Sequence, residues 1–345
     1  MRPMSRHDTD SSGLTKATVV GTGAMGCVVA HILAGNNVHV ALLGRRADHV
    51  AELARTRENR RYLPGLRLPD RVTPTTDAVA ALANTELIIS SVPCQYMRGV
   101  WQSLAEHTPS NIPICSVAKG IEIDTLLRPS QILRECAGPR PIAVLSGPSI
   151  ASEVAKCLPA TVVLACGDSA TGERVQQALT TKWFRVYTNT DVLGVELAGA
   201  TKNVIALAAG ILDGLRAGDN AKAALLTRGL VEVTRLGLAL GARPETFVGL
   251  AGVGDLVTTC VSPYGRNRSA GERIGSGVSL AQVLAESTSV IEGIPTTRAV
   301  MKLAARHDIE MPITQAVGQV LFEDKLPLTA ITELMNRPLK AEAMN

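Results

Sequence analysis

The sequence predicts an α/β protein: a doubly wound, mostly parallel sheet over residues 17–190, followed by an all-helical second domain over 191–340. Three observations predict it. Short β-branched runs alternate with helical patterns of 10–15 residues as far as residue 190. Most of those runs are continuously apolar, as strands are when helices cover both faces. Beyond about residue 190 the strand signals stop and long Ala/Leu-rich helical patterns take over. A length of 345 residues suits two domains of roughly 150 each.

Taken in order, residues 1–16 (MRPMSRHDTDSSGLTK) are polar and read as a flexible tail with no apolar leader segment. Strands are expected at Ala17–Gly21, Val38–Leu43, Leu87–Val92, Pro113–Val117, Ile142–Leu145, Thr161–Ala165 and Phe184–Tyr187. Helical stretches between them include Met25–Ala34, Asp48–Arg57 and Tyr96–His107. The second domain opens with Val192–Leu215 and Ala221–Leu240, punctuated by Gly241-Ala-Arg-Pro244. Leu280–Glu286, Thr296–His307 and Ile313–Glu323 continue it.

Composition narrows the function classes. Apolar residues make up 46% and aromatics 3%, so the core is built from Ala, Val, Leu and Ile, and base-stacking nucleic-acid binding is disfavoured. The net charge of +4 is spread along the chain, with its densest stretch at Arg55-Thr-Arg-Glu-Asn-Arg-Arg61. That excess suits a small anionic ligand rather than a polymer. The seven cysteines are scattered without a Cys-x-x-Cys, which points to reduced, mostly core thiols and a cytoplasmic location. The most apolar stretch, 192–215, carries Glu196, Lys202 and Asp213, so no membrane span is expected. The six histidines show no metal-ligand spacing, and no metal is expected. The sequence leaves room for a homodimer.

The chemistry-bearing motifs begin at Gly21-Thr-Gly23-Ala24-Met25-Gly26, directly after a strand and opening a helix. Gly21 permits the tight turn, Gly23 lets the backbone approach a pyrophosphate, and Gly26 allows close helix–strand packing. A dinucleotide site follows. The second strand ends in Gly44-Arg45-Arg46, where an NAD-only site usually carries an acid for the ribose hydroxyl. Arg45 and Arg46 can instead meet a 2′-phosphate; the alternative is a solvated pair at a helix start. Lys119, in Ser116-Val-Ala-Lys119-Gly120, follows a strand and is either a cleft lysine or a surface one. Ser149, in Ser146-Gly147-Pro148-Ser149, is either an N-cap or a donor to substrate.

Lys202 stands out, inside the apolar helix of Gly199-Ala-Thr-Lys202-Asn203. Burial of its ammonium is costly unless the group is paired or lines a wet cleft. Glu196, six residues earlier, is not on the same face. An ammonium held in a cleft is a good acid/base. Asp255, ending Gly249-Leu-Ala-Gly-Val-Gly254-Asp255, is a helix N-cap, the partner that orients Lys202, or both. Arg266, in Gly265-Arg266-Asn267-Arg268, is a bidentate phosphate fork or part of a solvated loop.

Together these residues resemble the bacterial NAD(P)-dependent glycerol-3-phosphate dehydrogenase family over about residues 17–335. The resemblance rests on Gly21-x-Gly-x-x-Gly26, Ala118-Lys-Gly120, Ser146-Gly-Pro148, Gly199-Ala-Thr-Lys-Asn-Val204, Gly254-Asp-Leu256, Arg266-Asn-Arg268 and Val290-Ile-Glu-Gly293. It implies a Rossmann-type domain and a helical domain with the active site between them. By the same resemblance Lys202 is the acid/base, and Lys119 touches both substrate and nicotinamide. Gly147, Ser149, Asn203, Asp255, Gly265, Arg266 and Asn267 line the substrate. Gly21, Gly23, Ala24, Met25, Gly26, Arg45, Arg46, Lys119, Ala151, Arg266, Val290 and Glu292 serve NADP(H) or NAD(H). Ser149 stands where the family commonly has Thr, and Gly265 where Ser often precedes the Arg.

The implied activity is reversible reduction of dihydroxyacetone phosphate to sn-glycerol 3-phosphate, feeding phospholipid synthesis. Two alternatives stand beside it. One is a dehydrogenase of the same architecture acting on a hydroxy acid or a ketopantoate-like substrate. The other is a non-catalytic NADPH sensor, against which the intact Lys202, Lys119 and Asp255 set speaks.

Overall fold

The computed structural model describes residues 13–339 and 341–342. The first twelve residues of the expected tail lie outside the described residues. Lys16, placed in that tail by the sequence reading, is instead the first residue of a strand. The strands are β1 (Lys16–Val20), β2 (His39–Leu43), β3 (Glu58–Asn59), β4 (Leu63–Arg67), β5 (Val72–Thr75), β6 (Leu87–Ser90), β7 (Ile114–Ser116), β8 (Ile142–Ser146), β9 (Ala160–Cys166) and β10 (Phe184–Asn189). Helices α1 (Ala24–Gly35), α2 (Ala47–Thr56), α3 (Ala78–Leu82), α4 (Cys94–Leu104), α5 (Pro129–Ala137), α6 (Ala151–Val154) and α7 (Ser169–Leu179) lie between them. There follow α8 (Val192–Gly214), α9 (Asp219–Ala239), α10 (Pro244–Phe247), α11 (Asp255–Val261), α12 (Arg266–Gly275), α13 (Leu280–Glu286), α14 (Gly293–Arg306), α15 (Pro312–Phe322) and α16 (Pro327–Met335).

Eight strands form one sheet in the order β10-β9-β8-β7-β6-β1-β2-β5. All its pairings are parallel except β8 with β9, where Val144 faces Ala165. The connection between those two holds only the short α6. The β3–β4 hairpin and β5 escape the sequence reading. Pro64, Gly65 and Pro74 read as breakers. They are tolerated because the hairpin stands apart from the main sheet and β5 is its edge. Helix α5 starts with Pro129 at its first position, with Gln131 Oε1 accepting from the Arg128 N–H at 3.0 Å.

Helices cover both faces of the sheet. On one, Cys27, Val29, Ile32 and Leu33 of α1 pack on Val19, Leu42 and Leu87. On the other, Met97 and Trp101 of α4 pack on Val20 and Ile88. Trp101 also donates its indole N–H to Ser90 Oγ at 2.9 Å, so the buried ring keeps no orphan donor.

Helix α8 is the axis of the helical half. By length and composition it could cross a membrane, yet every residue of its most apolar window is buried in the protein. Asp191 caps it, accepting from Gly194 N at 2.9 Å, and the same carboxylate accepts from Arg243 N at 2.9 Å and Thr246 Oγ1 at 2.7 Å. Val195 and Ala198 pack on Val144 and Val163 of the sheet. Glu196 does not approach Lys202. Its carboxylate pairs with Arg128 and accepts from Ser130 N and Oγ, both at 2.7 Å, at the head of α5.

Burial raises the Glu196 carboxyl above its ordinary range, against the pull of Arg128 and Ser130. Glu196→Ala strips Arg128 and Ser130 of their acceptor. We expect a loss of about 3–5 kcal/mol, the scale for breaking a buried pair by removing one partner. Glu196→Gln keeps an acceptor and should lose clearly less. Denaturant unfolding midpoints of the two variants check the difference.

Candidate active site

Strands β1, β2 and β6–β8 all end on one rim of the sheet, the usual ligand rim of an open α/β fold. The glycine turn after β1 sits there. Gly21 has a φ of +112°, and a Cβ on it would lie 2.6 Å from Ser91 O, so only glycine fits. Gly26 abuts the Gly21 carbonyl just as closely. By contrast, no atom lies within 4 Å of where a Gly23 Cβ would stand. Gly23 is also the N-cap of α1, and no side chain caps that helix. Open space before uncapped N–H groups fits a pyrophosphate. Ala24 and Met25 form the first turn of α1 and pack on the core behind it, as does Ala151 at the start of α6. Asn59, to which the sequence assigns no role, is fully buried and donates to the Thr22 carbonyl at 2.9 Å, fixing this turn from the β3–β4 hairpin. No local signal in the sequence marks it.

At the end of β2 the two arginines separate. Arg46 forks onto the Asp48 carboxylate, with Nε at 3.2 Å from Oδ1. Arg45 is exposed and has no ionic partner among the described residues.

The loop after β7, the middle of α8 and the start of α11 converge on one carboxylate. Asp255 is 2% exposed. Its Oδ2 accepts from Lys119 Nζ at 2.7 Å and its Oδ1 from Lys202 Nζ at 2.7 Å. Lys119 also donates to the Gly147 carbonyl at 3.0 Å. Lys202 donates to Thr259 Oγ1 as well. Thr259 was not picked out from the sequence, although its position four residues after Asp255 puts it on the same helix face. A π-helical turn, Leu250–Gly254, leads into α11, a widening of the helix often found at functional sites.

Asp255 is therefore not a cap: it is the first residue of α11, and Gly254 is the N-cap. Ser149 is not a cap either. Ile150 stands before α6, and the Ser149 hydroxyl donates to the Gly147 carbonyl at 2.9 Å.

Electrostatics separate the two buried groups. Burial alone would raise the Asp255 carboxyl, but the ammonium groups of Lys119 and Lys202 outweigh it and hold it below the usual carboxylate range. Burial lowers Lys202 to about 8; Asp255 opposes that fall and Lys119 adds to it. Cys260 beside Thr259 is buried and pushed up to about 12, an inert core thiol.

A chain of amides adjoins the charges. Asn203 donates to the Lys119 carbonyl at 3.1 Å and accepts from Asn267 Nδ2 at 2.9 Å. Asn267 in turn accepts from Gly293 N at 2.9 Å. Arg266 opens α12, is exposed, and donates to the Val290 carbonyl at 3.0 Å. Gly265 is the N-cap of α12 and offers no side chain. A Cβ there would lie 2.9 Å from Thr259 O, and the Gly265 N–H already bonds Ser262 O. A backbone contact to a phosphate here would have to come from N–H groups of α12 beyond Gly265. Glu292 accepts from Cys94 N at 2.9 Å through Oε1, while its buried Oε2 has no partner and faces Gly120. That orphan oxygen and the open turn at Gly23 both fit a bound dinucleotide.

A glycine-rich turn at the ligand rim of a mostly parallel sheet, together with a buried carboxylate that joins a lysine from a loop of that sheet to one from the helical half, is the arrangement of a nicotinamide-dependent dehydrogenase. The chain belongs to the NAD-dependent glycerol-3-phosphate dehydrogenase family: the family's N-terminal model matches residues 16–172 and its C-terminal model residues 191–332. A glycerol-3-phosphate dehydrogenase [NAD(P)+] of Chlorobium phaeobacteroides is 46% identical over 330 residues, 95% of this chain and 99% of that one. The crystal structure of glycerol-3-phosphate dehydrogenase from Coxiella burnetii superposes with a TM-score of 0.91 at 38% identity, covering 94% of this chain and 99% of that one. A ketopantoate reductase from Ralstonia eutropha, at 15% identity and a TM-score of 0.58 over 92% of this chain and all of that one, shares the fold alone.

Because Asp48 already engages Arg46, Arg45 is the arginine left free of an ionic partner among the described residues. Arg45→Ala is expected to raise KM for NADPH about tenfold or more, and KM for NADH little, from a charge-assisted contact of about 1.5–3 kcal/mol. Arg46→Ala should discriminate less. Equal losses for both coenzymes in Arg45→Ala would remove it from that role.

Proposed function

We infer that this chain catalyses the reversible, NAD(P)H-dependent reduction of dihydroxyacetone phosphate to sn-glycerol 3-phosphate, the glycerol unit of phospholipids. The observation that carries the site assignment is the single buried carboxylate of Asp255 held between Lys119 and Lys202. Family membership supports the reaction, and seven free cysteines are in keeping with a cytoplasmic location.

When bound, the nicotinamide supplies the hydride to the carbonyl carbon. All else falls to the chain. Gly21–Gly26 and the head of α1 hold the pyrophosphate, Arg45 reads the adenosine ribose, and Val290 and Glu292 line the nicotinamide end. Arg266, Asn267 and the uncapped start of α12 hold the substrate phosphate, so that remote binding orients the carbonyl. Gly147 and Ser149 line the opposite wall. Lys202 donates the proton that the carbonyl oxygen takes, and Lys119 stabilises the negative charge growing on that oxygen. Asp255 orients both ammonium groups. At neutral pH Lys202 is mostly charged, yet with a pKa near 8 it gives up its proton far more readily than an ordinary lysine. A cofactor sensor would have no use for that tuning.

Lys202→Met keeps the stem and removes the ammonium. Turnover is expected to fall by about 10²–10⁴, with NADPH affinity retained because the phosphate turn lies on the sheet. A folded variant with near-normal kcat and intact NADPH fluorescence would refute the role.

The pH dependence has a definite sign. Reduction needs Lys202 protonated, so its kcat/KM falls as pH rises through about 8. Oxidation of glycerol 3-phosphate needs the neutral amine, so its kcat/KM rises through the same range. Steady-state profiles in both directions check this, and parallel profiles would contradict it.

A further inference from the structure

Helices α8 and α12 meet backbone to backbone. Gly210 and Gly214 lie one turn apart on α8, as Gly271 and Gly275 do on α12. A methyl group on any of them would fall on the other helix's main chain. On Gly210 it would strike the Arg268 carbonyl and lie 2.7 Å from Glu272 N. On Gly214 it would strike the Glu272 carbonyl and lie 2.7 Å from Ser276 N. On Gly271 it would strike the Leu207 carbonyl, with Ile211 N at 3.0 Å, and on Gly275 the Ile211 carbonyl, with its Cα at 2.9 Å. Main-chain atoms cannot turn aside as a side chain does, so any substitution forces the helices apart. Asp213 adds a charge contact across the seam, its carboxylate lying 2.7 Å from Arg268 Nε, and it also pairs with Lys222 of α9.

The two helices carry the two ends of the substrate site. Lys202 and Asn203 lie roughly two turns before Gly210 on α8. Arg266 and Asn267 open α12, and Asn267 bonds Asn203 directly. We propose that the glycine seam is the gauge of substrate length: it sets the separation between Lys202 at the carbonyl and Arg266 with Asn267 at the phosphate. It thereby selects a three-carbon phosphate ester. The proposal rests on the roles given above to Lys202 and Arg266.

The test compares kcat/KM for dihydroxyacetone phosphate and for unphosphorylated dihydroxyacetone, with NADPH affinity and thermal midpoint alongside. In Gly271→Ala the phosphorylated substrate should lose on the order of 10²-fold, the cost of about 1 Å of misplacement. The unphosphorylated one, which never reaches α12, should change by no more than about threefold, and NADPH affinity should hold. Gly275→Ala, farther from the head of α12, should show a smaller loss of the same kind and decides the matter if Gly271→Ala does not fold. Gly229→Ala on α9 is the control. Its Cβ would meet the Ile205 side chain at 2.8 Å on another side of α8, where a rotamer can yield. It should lower the thermal midpoint and leave the substrate ratio unchanged. Equal losses for both substrates in the seam variants, or an unchanged ratio in Gly275→Ala, would overturn the gauge. An unchanged ratio together with an inactive Lys202→Met leaves the site assignment standing. A normally active Lys202→Met would show that the assignment itself has failed.

Discussion

Asp255 lies between two ammonium groups that arrive from different parts of the chain, and the site depends on that contact. Lys119 comes from the loop after β7, Lys202 from the middle of α8, and Asp255 from the start of α11. Each charge would be costly to bury alone. Together they leave one net positive charge at the site, opposite in sign to the alkoxide that the reaction generates. A carboxylate shared by two lysines also fixes the spacing between their ammonium groups. Substitution of Asp255 would therefore disturb folding and chemistry together, since removing one partner of a buried pair costs about 3–5 kcal/mol.

Secondary contacts refine that arrangement. Thr259 accepts from Lys202 without adding charge, so the ammonium is held and remains easy to deprotonate. Asn203 and Asn267 carry the positional information onward through neutral amides to Lys119 and Gly293. The polar groups of the site are thus mostly committed to one another before substrate arrives, which limits the reorganisation needed during reaction.

Much of this was legible in the sequence because the responsible signals are local. The G-x-G-x-x-G turn works through the conformational freedom of glycine, which a motif states directly. A lysine inside an apolar helix announces a cost that something must offset, so Lys202 could be singled out before its partner was known. What could not be read is what depends on distant packing. The partner of Glu196 is Arg128, and the support of the Thr22 carbonyl is Asn59, neither of which any spacing rule connects. Ser149 and Asp255 both sit where helix-cap rules apply, yet Ser149 bonds Gly147 and Asp255 holds two lysines. The edge strand β5 and the hairpin were hidden by prolines that only an edge or an isolated pair tolerates.

The reversal of β9 against β8 has a consequence for delivery. Since β10 runs parallel to β9, the chain leaves the sheet at the rim opposite the glycine turn. Helix α8 therefore climbs back beside the sheet, with Gly199 level with Ser146 at the top of β8. At about 1.5 Å per residue, the ten residues from Val192 to Lys202 span roughly 15 Å, close to the height of a five-residue strand. The strand acts as a yardstick that carries the ammonium to the rim. Had the last two strands kept the common direction, the same helix would start at that rim and lift Lys202 clear of it. The position of the Lys202 ammonium is thus a property of strand polarity, and loops at the far edge of the sheet can change length without moving it, provided Asp191 still starts the climb.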